Sequence, residues 1–158
     1  HIKRKQYEKP TDHVEYYVNE MKSLNIKPNI FTYNLLINIY GKTKQFDKLE
    51  YYIDEMKEND IKFIYATYNI AIDVYGKSQQ FHKVEYYLNE MKQNNIALTL
   101  FTYNTLLHIY VINDQVDKVT HYVEEMERRS IKLNAFSYEI LLNMCKNDVR
   151  LHLKKKLI

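Results

Sequence analysis

Glycine and proline occur only twice each in these 158 residues, and tryptophan is absent. Sandwiches, barrels and other loop-rich folds need many more turn residues, so the shortage favours helices. One cysteine, Cys145, rules out an internal disulfide framework and a multi-cysteine zinc site. It lies in the apolar run Ile140-Leu141-Leu142-Asn143-Met144-Cys145 and reads as a small buried hydrophobe. No uncharged apolar run approaches the roughly 18 residues of a membrane span, and no signal peptide is visible. The histidines form no His-x-x-Glu-His or Cys/His cluster, so no metal or cofactor is expected. Neither a nucleophile–base constellation nor a Gly-rich phosphate loop is present, and the chain reads as a non-enzyme.

What the sequence has is repetition. Thr32-Tyr33-Asn34 returns as Thr67-Tyr68-Asn69, as Thr102-Tyr103-Asn104 and, weakly, as Ser137-Tyr138-Glu139. Glu20-Met21 returns as Glu55-Met56, Glu90-Met91 and Glu125-Met126. Both motifs keep a 35-residue spacing without insertion, the signature of a repeat architecture. Within a unit, Tyr33, Leu36, Ile37 and Tyr40 form one helical stripe, and Leu49, Tyr52, Ile53 and Met56 form a second. Thr32, Thr67, Thr102 and Ser137 are the expected N-caps. A helix pair this small cannot bury both stripes, so successive pairs must stack. The expectation is all-α: an α-α superhelix, a solenoid of nine or so helices in antiparallel pairs.

Three complete units run 30–64, 65–99 and 100–134. Residues 1–29 read as a partial repeat, and 135–158 as a partial repeat with a basic tail. A solenoid cut inside a repeat at both ends is expected to be a piece of one longer chain or of an assembly. Hydrophobic residues make up 46% and charged residues 27%, with net charge +3. The positive excess sits at the ends: +2 over residues 1–29 and +3 over 135–158, against −2 over the three complete units. Tyr16-Tyr17, Tyr51-Tyr52 and Tyr86-Tyr87 on second helices read as interhelix packing. The acidic pair Asp54-Glu55 reads as a solvated face.

Thr-Tyr-Asn-x-Leu-Ile, together with Glu-Met-Lys-x-x-x-Ile-Lys-Pro-Asn at Glu20 to Asn29, resembles the pentatricopeptide repeat in its 35-residue form. The resemblance covers essentially the whole chain. It implies a concave surface of first helices that binds single-stranded RNA, one base per repeat. Its base-reading pairs, carried over, are Asn34 with Ile64, Asn69 with Thr99, and Asn104 with Asn134; Asn29 and Glu139 are half-pairs. Phe31, Ala66, Phe101 and Phe136 would flank the bases. For the three phenylalanines, packing between repeats is the expected role and base stacking the alternative. An amide offers a donor and an acceptor to a base edge, whereas Ile64 offers neither. Asn104 with Asn134 should prefer a pyrimidine. Lys42 and Lys77 stand where they could touch phosphate, and the tail lysines Lys154, Lys155 and Lys156 could do so too.

The resemblance thus implies non-catalytic binding of single-stranded organellar RNA for transcript stabilisation, processing or translation, in a mitochondrion or alternatively a plastid. A structural role in a large organellar ribonucleoprotein such as the mitochondrial ribosome, made through contacts with ribosomal proteins, is the alternative. No membrane or small-molecule partner is expected.

Overall fold

Helices in this chain stop where a residue turns left-handed. Asn25, Asp60, Asn95 and Ser130 take φ of 54–57°, and Lys44, Gln79 and Asp114 take φ of 54–61°. Each series has the 35-residue period. Neither glycine is used for these turns, although glycine adopts this conformation most cheaply. The first series explains part of the repeated motif. Three residues past Glu-Met-Lys-type helix ends, the N–H groups of Ile26, Ile61, Ile96 and Ile131 donate to the carbonyls of Met21, Met56, Met91 and Met126, each at 2.9 Å. This is the six-to-one bond of a Schellman cap.

The computed structural model describes Lys9 and residues 11–156, with side chains as far as Lys146. Eight helices follow: α1 Asp12–Ser23, α2 Ile30–Lys42, α3 Phe46–Glu58, α4 Tyr65–Lys77, α5 Phe81–Gln93, α6 Leu100–Ile112, α7 Val116–Arg128 and α8 Ala135–Lys156. The described residues contain no strand. Among the described residues the tail adds no further helix, because α8 runs unbroken for 22 residues. Val149 holds the register of Lys44, Gln79 and Asp114. A β-branched residue resists positive φ, so the turn is not made and the helix continues through the expected basic tail. The side chains of that tail, including Lys154 to Lys156, lie outside the described residues, as do residues 1–8.

The chain forms two compact units, His1–Ile70 and Ala71–Ile158, divided within α4. In the first, α2 packs on α3 and buries Tyr33, Leu36, Ile37 and Tyr40 against Leu49, Tyr52, Ile53 and Met56, the two stripes of the sequence pattern. Tyr40 stacks on Tyr52 with centroids 5.6 Å apart. In the second, α6 packs on α7 and on α8. There Tyr75 stacks on Tyr87 at 5.8 Å and Tyr110 on Tyr122 at 5.7 Å. Parallel-displaced rings at these distances add favourably to burial.

The tyrosine stacks also explain a departure from expectation at Cys145, which is exposed rather than buried. Its register matches Tyr40, Tyr75 and Tyr110. Each of those is covered by a tyrosine of a second helix folding back, and α8 continues instead of folding back. The second-helix pairs are likewise split. Tyr52 and Tyr87 are buried, whereas Tyr16, Tyr17, Tyr51 and Tyr86 are exposed.

Candidate nucleic-acid interface

The first two turns of each first helix, with the residue before it, carry the candidate amides and aromatic rings. Thr32, Thr67, Thr102 and Ser137 are not the N-caps expected from sequence, because the helices start at Ile30, Tyr65, Leu100 and Ala135. They occupy the third helical position. The cap is the last residue of the preceding unit, the same residue that the repeat pattern pairs with an asparagine. Asn29 caps α2, its Oδ1 accepting from Thr32 N and Oγ1, both at 3.1 Å. Thr99 caps α6 without a side-chain cap bond. Reaching back from the third position, Thr67 Oγ1 accepts from Ile64 N at 3.3 Å and Ser137 Oγ from Asn134 N at 3.1 Å. Asn134 Oδ1 in turn accepts from Ser137 N at 3.0 Å, which completes a reciprocal capping box.

In the first unit, Asn34 is 8% exposed and its Oδ1 is buried without a hydrogen-bond partner. Ile64, the other half of its pair, is exposed and brings no polar group. Asn69 is 4% exposed. Its Nδ2 donates to Tyr65 O at 2.8 Å, and its Oδ1 is buried and unpartnered. A buried carbonyl left without a donor carries a desolvation cost, so both amides gain from any donor that reaches them. Phe31 is 73% exposed; Asn29, Ala66 and Lys42 are exposed too.

In the second unit, Asn104 is buried and its Nδ2 donates to Asn134 Oδ1 at 3.2 Å. This pair is therefore in direct contact. Thr99 is exposed. Phe101 and Phe136 are 64% and 52% exposed, so packing between repeats is not the role of the phenylalanines at these positions. They lie on the side of each first helix away from the Tyr103-type stripe. Lys77, at the end of α4, is held by Asp73 at 2.9 Å, which neutralises much of its attraction for phosphate. Glu139 is exposed and adds negative charge at the corresponding place on α8. No helix of the described residues is long and apolar enough to cross a membrane.

Sequence reasoning missed the role of the acids on second helices. Glu85 Oε1 accepts from Lys118 Nζ at 3.0 Å, Tyr110 Oη at 3.1 Å and Tyr122 Oη at 3.3 Å. In the first unit Glu15 pairs with Lys48, the residue in register with Lys118. Glu55, taken from sequence as part of a solvated face, is half-buried and paired with Lys22 at 3.5 Å. The only clue was periodic: Glu15, Glu50 and Glu85 recur at 35 residues, as do Lys48, Lys83 and Lys118.

Helix pairs in a 35-residue register, with buried first-turn amides beside exposed aromatics, define a helical-repeat solenoid. Models of the PPR repeat family match residues 65–108 and 98–147, and models of the pentatricopeptide repeat domain match residues 6–43 and 16–78. The chain belongs to the pentatricopeptide repeat family. It is similar to the crystal structure of the pentatricopeptide repeat protein PPR10 from maize, with TM-score 0.71 and 21% identity over 94% of this chain. It is also similar to PPR10 in complex with an 18-nt psaJ RNA element, with TM-score 0.78 and 19% identity over 97% of this chain. The chain spans 22% of the length of PPR10 in both. Among curated proteins no match is found.

Proposed function

We propose that this chain binds single-stranded RNA without catalysis, each complete repeat taking one nucleotide at its first-turn asparagine. The observation that carries the reading is the Asn104–Asn134 contact at 3.2 Å, beside Phe101 and Phe136, whose rings are free to stack on a base. Base–aromatic stacking contributes about 1–3 kcal/mol per base. The resemblance to PPR10, whose structure with an RNA element is similar in fold, supports it. Asn104 with Asn134 favours a pyrimidine; Asn34 with Ile64 supplies one amide only and selects less. We further propose, from the resemblance of its repeat motifs, a mitochondrial location with a plastid as the alternative, and a role in stabilising, processing or translating a transcript.

A second reading draws on the Asp73–Lys77 ion pair and the apolar Ile64. With so little free positive charge on first helices, the chain would serve as a structural subunit of an organellar ribonucleoprotein, such as the mitochondrial ribosome, through protein contacts.

An anisotropy titration with pyrimidine-rich oligonucleotides separates the two. Replacing Asn34, Asn69 and Asn104 together with Ala is expected to weaken binding about tenfold or more, while Asp54→Ala, on the exposed side of α3, leaves it unchanged. Glu85 is unsuitable as a neutral control because its three hydrogen bonds hold the fold. No binding at low salt, with co-purification in a ribonucleoprotein through protein contacts, rejects the RNA-reader reading.

A further inference from the structure

We propose that Ser137 is a positioning residue for base selection: it locks the Asn104 and Asn134 amides in one orientation, so that this repeat presents hydrogen-bond donors only. The inference rests on the RNA-binding reading above and concerns how that site chooses its base.

One backbone group sets the whole network. Ser137 N–H can only donate, and it lies 3.0 Å from the Asn134 amide. The atom facing it must therefore be Oδ1. The Asn104 amide approaches the same oxygen at 3.2 Å, and two carbonyl oxygens repel, so Asn104 turns Nδ2 toward it. Its own Oδ1 is then directed to the other side, where Ser137 Oγ meets it at 2.6 Å and donates. Ser137 Oγ also lies 2.8 Å from Asn134 Oδ1. A hydroxyl has one proton, and the shorter contact claims it. The remaining lone pairs of Oγ accept from Asn134 N at 3.1 Å.

Asn134 Oδ1 thereby takes two donors, and the carbonyl of the buried Asn104 is turned toward Ser137. What is left for a ligand is the Nδ2 group of the exposed Asn134 and the second hydrogen of Asn104 Nδ2. Donors select an edge rich in acceptors. Cytosine offers O2 beside N3, and uracil offers two carbonyls. Adenine puts a donor next to its single Watson–Crick acceptor, and guanine's N1–H and amino group oppose the site.

The lock is particular to this repeat. Thr67 accepts from Ile64 N in the same way, yet Asn34 Oδ1 stays unpartnered, because no amide at position 64 turns Asn34 toward the hydroxyl. In the 30–64 repeat, which ends on Ile64, the third-position hydroxyl therefore leaves the reading asparagine unoriented.

The test compares wild type, Ser137→Ala and Ser137→Thr in binding oligo(C), oligo(U) and oligo(A) RNA, with thermal unfolding measured alongside. Ser137→Ala frees the Asn104 amide to rotate, and the ratio of pyrimidine to adenine affinity is expected to fall about threefold to tenfold, the range one hydrogen bond spans. Ser137→Thr keeps the hydroxyl and is expected to retain the ratio. A residue that only capped α8 would lower the unfolding temperature in Ser137→Ala and leave the ratio unchanged; that result overturns the proposal. If the Ser137 variants behave as wild type while Asn104→Ala lowers the ratio, base reading stands and the lock fails. If wild type binds none of the three RNAs at low salt, the RNA reading fails, and base selection by Ser137 with it.

Discussion

Tyr103 Oη donates to Glu125 Oε1 across 2.9 Å inside the second unit. These two residues belong to the two motifs by which the repeat is recognised, Thr-Tyr-Asn and Glu-Met, and the bond joins the first helix of a unit to its second. Glu125 is almost fully buried and also pairs with Arg129 at 3.3 Å and lies 3.6 Å from His121. In the first unit Tyr33 and Glu55 stand in the same register. There burial first, then the Glu55 charge, raises the Tyr33 hydroxyl above its ordinary range. In the second unit the two motifs thus meet in one interaction.

Tyr103→Phe is expected to destabilise the protein by about 1–3 kcal/mol, since it removes a buried hydrogen bond to a charged acceptor. Glu125→Ala should cost at least as much, leaving a buried hydroxyl unpaired and His121 and Arg129 without their carboxylate. Denaturant unfolding of the double variant decides whether the residues are coupled; strictly additive losses would separate them.

Alkaline pH should unfold the chain through its buried tyrosines. Burial first, then the hydrogen bond to Glu125 and its charge, pushes Tyr103 up to about 12, and burial with the neighbouring Tyr40 pushes Tyr52 to about 12. Tyr110 and Tyr122 are raised further, by burial and by Glu85. The native state therefore holds these protons more tightly than the unfolded chain, whose tyrosines ionise near 10. Their contribution is complete below pH 10 and is lost as pH rises from about 10 through 12. Helical circular dichroism and the phenolate absorption of these residues should change together in that window. Complete phenolate formation at pH 10 with helicity intact would contradict the burial.

Gly76 allows α4 and α6 to approach closely. A Cβ there would lie 2.7 Å from both Cγ1 and Cγ2 of Ile109, atoms near the branch point that cannot swing away. Gly76→Ala should therefore destabilise by about 1–3 kcal/mol through overpacking, outweighing the roughly 1 kcal/mol that alanine gains in a helix. Recovery of stability in Gly76→Ala with Ile109→Val would trace the loss to this contact.

Salt dependence should distinguish the two lysines at the ends of first helices. On single strands the slope of log affinity against log salt changes by about 0.7 per neutralised phosphate. Lys42 has no ion pair among the described residues, and Lys42→Ala is expected to flatten the slope by about that amount. Lys77 is tied to Asp73, so Lys77→Ala should flatten it less, and Asp73→Ala should steepen it. Equal effects of the two lysine variants would show that the ion pair gives way when RNA binds.

The helix pairs and the buried stripe Tyr33, Leu36, Ile37 and Tyr40 were legible in the sequence, because a 3.6-residue stripe and a 35-residue period are properties of local spacing and copying. Its first-turn asparagines were legible too, as candidates carried over from a family. Other features depended on which groups meet across 20 to 40 positions of chain. Glu85 gathers Tyr110, Lys118 and Tyr122, and no neighbour in sequence hints at a charge held in place by two tyrosines of the next repeat. Asn134 serves as cap and as partner of Asn104 at once, a double role that only the joining of α8 to α6 creates. Cys145 sits in an apolar run yet remains exposed, since what covers a side chain is decided by whether the following helix folds back. Local spacing determined which residues become helix and which face is apolar; tertiary packing decided which polar atoms were left over to act.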